Sequence, residues 1–140
     1  MKNIRPIGGA LLILIIGLAL PLAHSGMMEA PMTASLAGAD GHHAAGMVAV
    51  TKDQKGNAVL SITEAKIDKV PDGRVHLAKD GDYTKGVELG KLKQFSGRLE
   101  FPIPAGIHPK DYNSVVIWCH KFNVKIGQGL FEQGTREKKG

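Results

Sequence analysis

Cys119 is the only cysteine in the chain, and it closes the apolar run Val115-Val116-Ile117-Trp118. A lone thiol cannot form an intramolecular disulfide. In an oxidising compartment an exposed thiol is open to mixed disulfides and oxidation, so a single cysteine is either buried and inert or kept for a purpose. His120 and Lys121 beside it would favour a thiolate. Consecutive side chains of a strand point to opposite faces, however, so Cys119 and His120 share a ligand only where a bulge intervenes.

The histidines and methionines are the other groups able to do chemistry. No Cys-x-x-Cys-His occurs, which excludes c-type haem. A b-type haem would draw its axial ligands from Cys119, His76, His108, His120 or Met47, and no spacing rule selects among them. Met27, Met28, Met32 and Met47 flank the pair His42-His43, and thioether with imidazole suits copper. A tract without defined geometry offers no fixed coordination, though, and a chance composition is the simpler reading. Any prosthetic group or metal therefore stays open, including none.

Enzymatic patterns are lacking: there is no Gly-rich phosphate loop, no Gly-x-Ser-x-Gly and no His-Glu-x-x-His. Cys119 with His108 or His76 would make a nucleophile and base, but the apolar run before it argues for burial over substrate access. The chain reads as a non-catalyst. The net charge of +5 invites a nucleic-acid reading, yet without Lys2 and Arg5 the basic count falls from 18 to 16 against 13 acidic residues, a net of +3. Part of that remainder lies in the tail Arg136, Glu137, Lys138, Lys139. With 5% aromatic residues and none interleaved with a basic stretch, a base-stacking platform is missing and nucleic acid is set aside.

The elements that must position these residues are short strands. Apolar alternation of period two appears at Val48/Val50, Leu60/Ile62, Val75/Leu77, Val87/Leu89, Leu99/Phe101/Ile103, Val115/Ile117 and Phe122/Val124/Ile126. Turn residues separate the runs at 55–57, 71–73, 80–82, 96–97, 104–106 and 127–129. This predicts an all-β fold, an antiparallel β-sandwich of about seven to eight short strands. Pro102 removes a ladder donor and so predicts an edge or bulged strand. Residues 108–113 can form a single helical turn, and Val115–Trp118 reads as a strand buried on both faces.

Met1–Arg5 is a short basic region, and Ile7–Leu22 is an uncharged apolar stretch broken by Gly and Pro. With Ala23-His24-Ser25 following, this is the layout of a secretory signal cleaved between Ser25 and Gly26. No cysteine lies there to accept a lipid, so no stable membrane anchor is expected after processing, and the mature chain is expected to be periplasmic or secreted. Residues 26–45, rich in Ala, Gly, Met and His, read as a flexible linker. One domain of 46–132 and a basic tail of 133–140 complete the expected organisation.

The stretch Asn113-Ser114-Val115-Val116-Ile117-Trp118-Cys119-His120-Lys121-Phe122-Asn123-Val124, followed by Ile126-Gly127, resembles the most distinctive segment of the DM13 domain family. Its Trp-Cys-x-x-Phe core carries the resemblance on Trp118, Cys119 and Phe122. Pro71-Asp72, Leu89-Gly90-Lys91-Leu92, Gly97–Ile103, Pro104-Ala105-Gly106 and Tyr112 follow the family's order. The resemblance implies an exported β-sandwich module that takes part in electron transfer through its cysteine, as a bare thiol or by holding a prosthetic group, with a redox or cell-envelope protein as partner. Gly73, where the family has a larger apolar residue, and Gly129, where a small Ala is common, depart from the pattern. Two other readings stand beside this one: a non-redox binding or adhesion module with a structural Cys119, and a copper-binding protein using the Met/His tract.

Overall fold

The computed structural model describes residues 31–132 and Gly17. The expected signal, its cleavage site at Ser25/Gly26, Met27, Met28 and the basic tail lie outside those residues, Gly17 apart. Among the described residues no helix is long and apolar enough to cross a membrane.

Eight strands run in the order β1 (Met32–Gly38), β2 (Ala44–Lys52), β3 (Ala58–Ile67), β4 (Gly73–Lys79), β5 (Asp82–Lys91), β6 (Ser96–Pro102), β7 (Ser114–Cys119) and β8 (Val124–Leu130). All pairings are antiparallel. The strands form one continuous sheet, β5-β4-β7-β8-β1-β2-β3-β6, so the expected all-β antiparallel architecture is realised as a curled sheet. Its two edges approach one another: a Cβ on Gly90 of β5 would lie 3.2 Å from the Phe101 ring of β6. The curl wraps one apolar face around the core, where Val48, Leu60, Ile62, Val75, Leu77, Val115, Ile117 and Ile126 are fully buried. Pro102 ends the edge strand β6, as its missing donor requires. The helical turn expected after His108 is a 3-10 turn over Pro109–Asp111.

Two expectations are corrected. Residues 32–45 are not a linker, because β1 lies between β2 and β8 with Ala34 and Leu36 buried, and Ala44 opens β2. Smallness is what this strand needs: a Cβ on Gly129 would stand 2.8 Å from the Ser35 carbonyl, and one on Gly127 would stand 2.7 Å from the Ala44 Cβ. The second correction follows directly, since Gly127-Gln128-Gly129 is the interior of β8 and not a turn. The turn that builds this region is Asp40-Gly41, both at positive φ (50° and 81°) with His42 N–H donating to the Ala39 carbonyl at 2.9 Å, a type I′ hairpin turn.

Candidate functional site

Strand β7 carries both faces of the site. Val115, Ile117 and Cys119 point into the core, and Cys119 is 0% exposed. Its pairing partners are Gly73 on β4 and Val124 on β8. Gly73 has no room for a side chain, because a Cβ there would meet Val70 Cγ2 at 2.8 Å and Leu92 Cδ1 at 3.1 Å. Gly129 likewise has no room for a Cβ beside the Ser35 carbonyl.

Trp118 and His120 occupy the opposite, outward face, as the strand period requires. Arg74 and His76 alternate on β4 in the same sense, with Arg74 opposite Trp118 and His76 opposite Val116. From the other side His76 pairs with Glu88 of β5. Past the end of β7, the main-chain N–H of His120 donates to the Asp72 carbonyl at 3.0 Å, which fixes its position beside β4.

The result is a compact group of rings and charges. The Nε2 atoms of His76 and His120 lie 3.2 Å apart, and Glu88 Oε1 lies 3.9 Å from the His120 Nε2. One ligand atom from each of His76, Glu88 and His120 falls within 4.8 Å of the others. The Tyr83 ring packs 4.3 Å from Trp118, 5.2 Å from His76 and 5.6 Å from His120, centroid to centroid. Trp118 Nε1 is buried with no partner. Arg74 holds Glu88 at 3.1 and 3.2 Å and Asp72 at 3.0 Å, and Lys91 stands 3.8 Å from Asp72.

These surroundings set the charge states. Burial pushes the His76 pKa below its ordinary value, against the pull of Glu88 and aided by His120 and Arg74, so the ring is neutral at pH 7 with a lone pair to offer. Hydrogen bonding from Arg74 holds the Asp72 carboxyl below the usual range, and the same Asp72 contact raises Arg74.

Of the residues singled out from sequence, His76, His120 and Trp118 come together, with Cys119 directly behind them. Phe122 does not join them, being 63% exposed in the turn between β7 and β8. His108 is exposed at the start of the 3-10 turn. His42 and His43 face Asp68 at 3.8 and 3.5 Å through Nδ1. Exposed Met47 accepts a contact from Ser35 Oγ at 3.8 Å, and Met32 packs on the core. A haem on Cys119 does not fit, because a sulfur with no exposed surface presents no open side to a planar macrocycle.

Glu88, Arg74 and Tyr83 were not found from sequence. The alternations Arg74-x-His76 and Trp118-x-His120 were visible, but strand register was not. A regular ladder from the Lys79–Asp82 pair would set His76 against Lys85; the irregularity between Leu77 and Lys79 sets it against Glu88 instead.

A model of the protein family described as Electron transfer DM13 matches residues 36–130, more than half of the chain. No curated protein and no solved structure matches.

Proposed function

The chain belongs to the electron transfer DM13 family, and we propose that it serves as a one-electron transfer module whose redox residue is Cys119 and whose contact surface for a partner is the ring face of His76, Tyr83, Trp118 and His120. The observation that carries this reading is the match of residues 36–130 to a family described as electron transfer, with Cys119 next to Trp118 and His120 of that face; its 0% exposure limits the reading to transfer without contact. Thiol–disulfide exchange needs an incoming sulfur to reach Sγ, and the enclosure blocks it. Electron transfer needs proximity without contact. In such a step the Cys119 thiol is oxidised to a thiyl radical, its electron passing to an oxidising partner and its proton leaving to solvent through a transient local opening. Cyclic voltammetry of wild-type and Cys119→Ala protein tests the assignment: a faradaic response in the wild type that is lost from folded Cys119→Ala supports it.

Complete burial also favours a second reading, in which Cys119 is a small core hydrophobe and the ring face is a binding surface for a cell-envelope protein. A folded wild type that gives no Cys119-dependent voltammetric response would select it. The partner in either case is an exported protein, because we further propose that residues 1–25 direct the chain out of the cytoplasm. Lys2 and Arg5 ahead of an uncharged apolar stretch support this.

A further inference from the structure

The geometry points to a binding site for a divalent late first-row transition ion, Cu2+ or Zn2+, formed by His76, His120 and Glu88 on the outward face of β4, β5 and β7. It stands independently of what Cys119 does. Two imidazoles and a carboxylate are the ligand set of such ions, and thiolate is absent from this face.

The two histidines are already placed for it. With metal–nitrogen bonds of about 2.0–2.1 Å, two Nε2 atoms 3.2 Å apart subtend an angle of roughly 100° at a shared ion, between the square-planar and tetrahedral values. Their positions come from backbone: His76 from its ladder with β7, and His120 from its bond to the Asp72 carbonyl. Glu88 is the adjustable ligand. Its carboxylate, 3.9 Å from His120 Nε2, must swing inward by on the order of 0.5–1 Å to complete the set at bond lengths of about 2.0–2.2 Å. That movement loosens its pair with Arg74. The guanidinium opposes a cation, and Asp72, bonded to the same Arg74, offsets that charge. Tyr83 and Trp118 wall one side, while the exposure of the His120 side chain, 35%, leaves a coordination position open to water or to a ligand from a partner.

The test uses the full-length processed protein titrated with Cu2+ and with Zn2+ by calorimetry, and the Cu2+ form examined by electron paramagnetic resonance. We expect one ion per chain, with superhyperfine structure from two imidazole nitrogens. His120→Ala, an exposed change that leaves the core intact, should weaken binding by about 100-fold or more, and Glu88→Gln by about 10-fold, in the range that altered ligand support costs. A His42→Ala/His43→Ala double variant should bind as wild type. Binding that survives His120→Ala unchanged, or disappears in the double variant, would overturn the site, as would failure of the wild type to bind either ion.

Discussion

At the scale of the residue, His76 shows how burial and geometry work against each other. It is 4% exposed, it sits opposite a carboxylate, and burial still dominates, lowering its pKa from 6.5. The unfolded chain therefore takes up a proton on this side chain at a higher pH than the folded one does. Stability from neutral His76 is fully present above about pH 6.5 and is lost as pH falls from there through the lowered folded-state value. Urea unfolding across this range should give a midpoint that declines with acidification, and His76→Gln should flatten the decline. An equally steep slope in the variant would assign the titration to another group. Cys119 belongs to the same scale. Its type and lone occurrence were legible, and so was its face, from the alternation Val115, Ile117, Cys119; which residues stand behind it was not, because cross-strand neighbours depend on register.

At the scale of the element, β1 and β5 separate what local pattern reveals from what it hides. Seven strands followed from period-two alternation because their core-facing positions carry Val, Ile, Leu or Phe, partly buried in β5 (Val87, Leu89) and buried in the other six. In β1 the buried positions are Ala34 and Leu36, and its small residues mimic a linker while serving close approach to β2 and β8. The Asp40-Gly41 dipeptide was the available signal for it. Leu36→Ala should cost about 2–5 kcal/mol, as for other buried leucines, measured as a loss of unfolding free energy in denaturant. A change within the scatter of surface substitutions, about 0.5 kcal/mol, would contradict a packed β1. In β5 the obstacle was different: its irregular pairing with β4 shifts the register, and so Glu88 reaches the site where a regular hairpin would have brought Lys85.

At the scale of the whole molecule, a curled sheet with its core on the inside leaves the outward face of β4, β5 and β7 free to carry rings and charges, while the cysteine lies one residue away on the inward face. Export would place that face where an envelope partner can reach it. The intact mass of material recovered from the exported fraction should correspond to a chain beginning at Gly26; a mass that retains residues 1–25 would contradict cleavage there. As proposed, this folded domain exchanges single electrons with its partner through Cys119 while the thiol stays shielded from contact. Cyclic voltammetry of the immobilised native protein tests it most directly, before and after maleimide treatment under folding conditions, beside Cys119→Ala, whose lost volume should cost only about 1 kcal/mol. The expected result is a faradaic response in the wild type that maleimide leaves intact and that is absent from a folded Cys119→Ala. A wild type without any such response, or one that Cys119→Ala reproduces, would contradict it.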